Sequence, residues 1–376
     1  MPTEPKPTGL RSEQPLKLGI FCLNISGGAS MSKAAGGKLS WDYNVRLAQE
    51  ADRAGWDFLL PLGRWRGLGG ESNPNGKQFE GLSWAAGISA VTSDISVLST
   101  VHAPLIHPLF AAKQAATIDH IGGGRFAMNI VAGWNGVEFA MFGIEQRPHD
   151  ERYEAAEEWL NVMKAVWDEE ADGEFAGDYY SIHDGYLEPK PIQQPRPLLI
   201  SAGQSTRGRR FALENADFIF VGGADMDQLR EQCEATDAAR QEFGSTTRIL
   251  SHSPVVVADT EAEAKRYFDW YVDEMGDYPA AEAVARGMIA GGNRSMEIPE
   301  EKLRAVSRAL ISGWAGMPLV GTPEKVAADL VAMHELDVAG LCMSWVDYEE
   351  GLRRFDEQVM PLLIDAGVRV ESGVRA

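Results

Sequence analysis

Cysteine is scarce: Cys22, Cys233 and Cys342 are the only three, and they lie far apart. No C-x-x-C occurs, which argues against a disulfide framework and a structural zinc site. Cys22 and Cys342 fall in apolar, strand-like runs and read as buried, reduced thiols. No apolar run reaches the roughly 20 residues of a transmembrane helix. The opening MPTEPKPTGLRSEQP is Pro-rich and polar, without the apolar stretch of a signal peptide, so a cytoplasmic location is expected. Basic residues are outnumbered, 35 Lys plus Arg against 55 Asp plus Glu, for a net charge of −20. That surface repels nucleic acid and anionic membranes, so neither is an expected partner. An anionic ligand would need a local cationic or amide-lined pocket.

Several signatures are also missing. There is no G-x-G-x-x-G after a strand and no phosphate-binding G-x-x-x-x-G-K-[ST]; the nearest stretch, 70–77, has the wrong spacing. H-E-x-x-H and G-x-S-x-G are absent, and the seven histidines show no metal-ligand spacing. Classical dinucleotide, zinc and serine-hydrolase chemistries have little support.

What is present is an alternation. Strand-like runs occupy 16–25, 56–62, 95–101, 125–131, 197–202, 217–223, 249–258 and 338–345. Amphipathic helices are expected at 41–55, 79–93, 108–124, 151–168, 205–216, 226–244, 322–336 and 348–366. Eight repeats of this kind predict a (β/α)8 TIM barrel, whose core needs about 250 residues. The barrel is expected to span 16–366 as one domain, after a loose arm at 1–15 and before a tail at 367–376. The surplus falls in insertions near 26–40, 134–197 and 277–321. The last is rich in glycine and charge and is expected to act as a lid.

The most informative stretch is FAMNIVAGWNGVEFAMFG, a strand ending in a loop of small and polar residues. Ligands of alternating β/α folds bind at such strand ends. Asn129 is an amide in an apolar run and must find a hydrogen-bond partner, a neighbouring strand or a ligand. Glu138 is either a solvated loop acid or part of the site. Arg152 opens a long helix, where the helix dipole disfavours a cation, so a phosphate there would explain it. Gly203 and Ser205 form a strand-to-helix turn, at once an ordinary cap and an anion site. His102 follows the third strand and either lines the pocket or is structural. Trp134 is either a pocket wall or local core.

LGIFCLNISGG, GWDFLLPLGRWRGLGG, AATIDHIGGGRFAMNIVAGWNGVEFAMFG, HDERY and ISAGQS occur in an order that resembles the luciferase-like, reduced-flavin-dependent monooxygenases. Within these, the chain is most similar to the pyrimidine oxygenase and dimethylsulfone monooxygenase branch, over residues 16 to 366. The resemblance implies that Asn129 and Glu138 lie beside the flavin and that Arg152, Tyr153 and Ser205 hold its phosphate or ribityl chain. Leu62, Gly63 and Arg64 would line the ring. Arg64 departs from the pyrimidine oxygenase pattern, which has lysine there. The resemblance also implies a non-proline cis bond near Thr100, Val101 and His102.

The implied function is a monooxygenase using O2 and reduced FMN from a separate NAD(P)H:flavin reductase. Asn129, His102 and Trp134 are its candidate catalytic residues, with Asn24 and Arg64 as further substrate donors. The substrate is expected to be a small heterocyclic or organosulfur molecule, and the enzyme a homodimer or homotetramer. A deazaflavin-dependent oxidoreductase and a non-catalytic flavin-binding protein are the alternatives.

Overall fold

The computed structural model describes residues 7–36, 38–170, 173–290 and 297–371. Eight parallel strands close into a barrel: β1 (Lys17–Phe21), β2 (Phe58–Leu60), β3 (Ser96–His102), β4 (Phe126–Val131), β5 (Leu198–Ser201), β6 (Phe218–Phe220), β7 (Arg248–Val257) and β8 (Val338–Ser344). Each pairs with its sequence neighbour, and β8 returns to β1. This is the (β/α)8 barrel expected from the alternation. A short strand, Leu319–Gly321, adds to the far end of β7. Among the described residues no helix is long and apolar enough to cross a membrane.

Strand alternation splits the core in two. Phe58, Leu60, Leu98, Ala127, Ile200, Phe218, Phe220, Leu250 and Cys342 fill the barrel interior. Leu18, Ile20, Leu59, Val97, Met128 and Ile130 face the surrounding helices. Glycine stops match the sequence: the helix Trp41–Ala54 ends at Gly55 with φ 81°.

The expected N-terminal arm is anchored over its described part. Gly9–Arg11 form a 3-10 turn, and buried Leu10 donates its N–H to Ser96 Oγ at 3.0 Å. Lys17 Nζ bonds the carbonyls of Ser12 and Gln14 at 2.9 and 3.1 Å, and burial lowers its pKa to about 8. The described part of the tail, 367–371, is tied to the same end: Gln14 and Val370 exchange two 2.8 Å hydrogen bonds. Buried Arg369 pairs with Asp57. Together these segments seal the barrel floor.

The segment expected to be a glycine-rich lid is mostly helical over its described residues, Tyr278–Ala290 and Glu300–Gly313, while 291–296 lie outside them. These helices share an apolar cluster with Met31, Val256 and Tyr271. The first insertion is stitched to them. Ser30 Oγ donates to Ile311 O at 2.7 Å, and Asp277 N donates to Met31 O at 2.9 Å.

Candidate active site

The barrel rim is assembled from strand ends. Beyond β2, Leu62 is fixed by Asn24, which donates to Leu62 O and Phe79 O at 2.9 and 3.0 Å and accepts from Leu62 N at 2.9 Å. Asn24 is thereby committed to backbone, which corrects its expected role as a substrate donor. Gly63 leaves room for His102: a Cβ there would stand 2.9 Å from His102 Cε1. Thr100 and Asn129 are register partners on β3 and β4. Asn129 Nδ2 donates to Thr100 Oγ1 at 3.1 Å, and Thr100 Oγ1 donates to Pro61 O at 2.7 Å. Asn129 Oδ1 is buried without a partner.

The expected cis bond near His102 is not found: the cis peptides among the described residues are Glu188–Pro189 and Gln194–Pro195. The reason lies in the ladder. β3 keeps unbroken parallel register with β4 through Thr100, Val101 and His102, which extended trans backbone sustains. His102 reaches the rim regardless, lining a recess with Gly63, Arg64 and Thr100. Burial, then the neighbouring Arg64 charge, lowers its pKa to about 3, so the imidazole is neutral.

Arg64 and Glu138 are both enclosed charges of the rim, their side chains 2 % and 1 % exposed. The Arg64 guanidinium lies 5.0 Å from the Trp134 ring centroid and 4.8 Å from that of Trp314. Burial lowers its pKa, yet a guanidinium stays protonated in proteins. Glu138, on the helix Gly136–Met141, places Oε2 at 3.8 Å from Arg64 Nη1, and its Oε1 accepts from Trp65 N at 2.9 Å. Arg64 Nε and Glu138 Oε2 are buried without hydrogen-bond partners.

A second cluster starts where β4 exits. Gly133 has φ 80°, and a Cβ there would strike the Phe139 ring at 2.4 Å. Arg152, on the helix His149–Trp167, donates from Nη1 to Gly133 O. Its Nε is buried and unpartnered, and among the described residues it has no acidic partner. Tyr153 covers the Gly203–Gly208 contact: a Cβ on Gly203 or Gly208 would lie 2.7 or 2.5 Å from the tyrosine oxygen. Ser205 caps the helix Thr206–Asn215, accepting from Gly208 N at 3.1 Å. His149 Nε2 lies 3.1 Å from Ser205 Oγ, and its Nδ1 2.7 Å from Asp150 Oδ1. Arg207 is instead consumed by a two-pronged pair with Glu157 at 2.7 and 2.8 Å.

The sequence candidates thus gather as two groups joined at Gly133. Leu62, Gly63, Arg64, His102, Asn129, Trp134 and Glu138 form one. Arg152, Tyr153, Gly203 and Ser205 form the other. Sequence reasoning missed Thr100, His149 and Trp314. His149 opens the HDERY motif and was findable; Trp314 had no local signal.

Known proteins resemble this chain in sequence and fold. The chain is 30% identical over 354 residues, 93% of its length and 96% of the relative's, to the FMNH(2)-dependent dimethylsulfone monooxygenase of Pseudomonas putida. It is 29% identical over 358 residues, 93% of this chain and 95% of the relative's, to a pyrimidine monooxygenase of Acinetobacter baylyi. The solved structure of EDTA monooxygenase from Chelativorans sp. BNC1 superposes with a TM-score of 0.80 at 24% identity, covering 96% of this chain and 97% of that one. Residues 16–340 match the family described as luciferase-like monooxygenase. With that match over most of its length, the chain belongs to the luciferase-like monooxygenase family.

Proposed function

We propose that the protein is the oxygenating half of a two-component monooxygenase. It takes reduced FMN from a separate NAD(P)H:flavin reductase and inserts one atom of O2 into a small heterocyclic or organosulfur substrate. The second oxygen atom leaves as water with the two electrons and two protons of reduced FMN. A cytoplasmic, homodimeric or homotetrameric enzyme belongs to the same proposal.

The observation that carries it is Arg152, a half-buried cation with no acidic partner among the described residues in a chain of net charge −20. A phosphate is the group such a position lacks. Tyr153, Ser205 and the close Gly203–Gly208 backbone would complete that cradle. The orphaned Asn129 Oδ1 suits the polar edge of a flavin ring, which Leu62, Gly63 and Glu138 would flank. Reduced FMN, when bound, supplies the electrons that activate O2.

The chain's own tasks are placement and exclusion of water. Thr100 orients the Asn129 amide, since Nδ2 is held and Oδ1 left free. His102, kept neutral, offers a hydrogen bond without a charge that would be costly to bury. Trp134, its ring 5.0 Å from the Arg64 guanidinium, would wall the pocket on that side. The test is turnover of candidate substrates with FMN, a flavin reductase and isotopically labelled O2, read by mass spectrometry. The label is expected in the product. Turnover that persists without O2 would refute the monooxygenase reading.

A further inference from the structure

The rim group around Arg64 holds more unmet hydrogen-bonding capacity than a structural ion pair leaves. We propose that Arg64 is a specificity-determining residue that binds an acceptor oxygen of an uncharged substrate, and that Trp314 is the residue that positions it. This rests on the monooxygenase reading.

Arg64 carries five N–H donors. Among the described residues its one hydrogen bond, Nη1 to Gly63 O, is long at 3.4 Å, and Nε has none. Glu138 Oε2, at 3.8 Å, is too far to accept from Nη1 and is itself unpartnered. The pair is balanced in charge yet unsatisfied in hydrogen bonds. Groups this enclosed normally find partners, so the missing ones point to a ligand. An anion would face the Glu138 carboxylate and leave a net negative charge in a dry pocket. A carbonyl or sulfonyl oxygen on an uncharged molecule would satisfy the guanidinium without disturbing the balance.

The plane of the guanidinium is set by its neighbours. Trp134 comes with the β4 loop and Trp314 from the end of the helix Glu300–Gly313. Both are half-buried and join the apolar cluster of that helix. With its central carbon 5.0 and 4.8 Å from two indole centroids, the guanidinium is held by a cation–π contact on each, and a lysine ammonium in its place would lack the planar fork that presents several N–H donors at once. Trp314 is delivered at a conformational cost: it and Ala315 have φ 55° and 59°, left-handed backbone that side-chain-bearing residues avoid. His252 on β7 holds this turn, its Nε2 lying 2.9 Å from Trp314 O. Gly316 fits beneath, where a Cβ would meet His252 O at 2.6 Å.

The experiment uses the full chain and three small probes: dimethyl sulfone and uracil, which are uncharged, and methanesulfonate, an anion. Binding is measured by calorimetry, KM and kcat in the reductase-coupled reaction, and FMN affinity in parallel, for the wild type, Arg64→Lys, Trp314→Leu and Trp314→Phe. At least one uncharged probe is expected to bind more tightly than methanesulfonate. Arg64→Lys and Trp314→Leu should each weaken that probe by about tenfold, the loss of one hydrogen bond to a charged group. The change should appear in Kd and KM, with FMN affinity retained. Trp314→Phe, which keeps an aromatic face, should restore most of the binding. The proposal is overturned if Trp314→Leu binds the probe as the wild type does, if Trp314→Phe fails to rescue, if methanesulfonate is preferred, or if none of the three probes binds. Failure of the wild type to bind FMN would instead sink the monooxygenase reading, so the two failures are distinguishable.

Discussion

Asn24 and Leu62 are hydrogen-bonded in both directions, amide to carbonyl and N–H to amide oxygen, each at 2.9 Å. A polar side chain at a strand end here works as a bracket for the backbone that leads to Gly63 and Arg64. Asn24→Ala would strand the buried carbonyl and N–H of Leu62 and the part-buried carbonyl of Phe79. Unfolding in urea should show a loss of about 3 kcal/mol, given about 1–3 kcal/mol for each unpaired group. An unchanged midpoint would show that the bracket is redundant.

Arg152→Ala should separate two flavins. FMN carries the phosphate and riboflavin does not. Loss of a charge-assisted bond should weaken FMN by roughly 10- to 100-fold, about 1.5–3 kcal/mol, and riboflavin far less. Flavin fluorescence titration gives both constants, and equal losses would remove Arg152 from the phosphate site.

Gly208→Ala sets two effects against each other. Alanine is the better helix former by about 1 kcal/mol. The added Cβ, however, would sit 2.5 Å from the Tyr153 oxygen and displace that side chain. FMN affinity should fall while far-ultraviolet dichroism retains the helix signal. Wild-type affinity in this variant would mean that Tyr153 does not contact the cofactor.

His102 makes a prediction about acid stability. Its pKa in the fold is about 3, below the usual value near 6.5 of an unfolded histidine. Below pH 6.5 the unfolded chain takes a proton that the folded one refuses. This site therefore erodes stability as pH falls, by up to about 1.4 kcal/mol per pH unit, until the folded histidine also titrates. Comparing urea unfolding of His102→Asn and the wild type at pH 7.5 and 5.5, the variant should lose less on acidification. Parallel losses would mean that His102 titrates normally in the fold.

The stitching of 277–321 to 26–40 predicts slow amide exchange at Met31, Asp277 and Trp314 even without flavin. Their N–H groups donate to Ile311, Met31 and Leu310 carbonyls. Fast exchange at all three, slowed only by ligand, would restore the lid expected from composition.

All eight barrel strands were legible in the sequence because each is a short apolar run with a glycine or polar stop, a local signal. The strand-end candidates were legible for the same reason: Asn129 is polar where its neighbours are apolar. The stretch between β7 and the helix expected at 322–336 was not. Glu261–Asp269, Tyr278–Ala290 and Glu300–Gly313 have apolar faces that acquire meaning only against one another. Trp314 could not be placed beside Arg64 from sequence, since 250 residues of tertiary folding lie between them. The cis bond near His102 came from the resemblance alone, and the regular β3–β4 ladder leaves no place for it.

The sealed barrel floor has a further consequence for traffic. With Leu10, Lys17 and Arg369 buried at that end, the barrel is a cul-de-sac rather than a conduit. With that end packed by described residues, the flavin and oxygen of a luciferase-like monooxygenase are left to come and go by the rim, where Gly63, Arg64 and His102 line a recess.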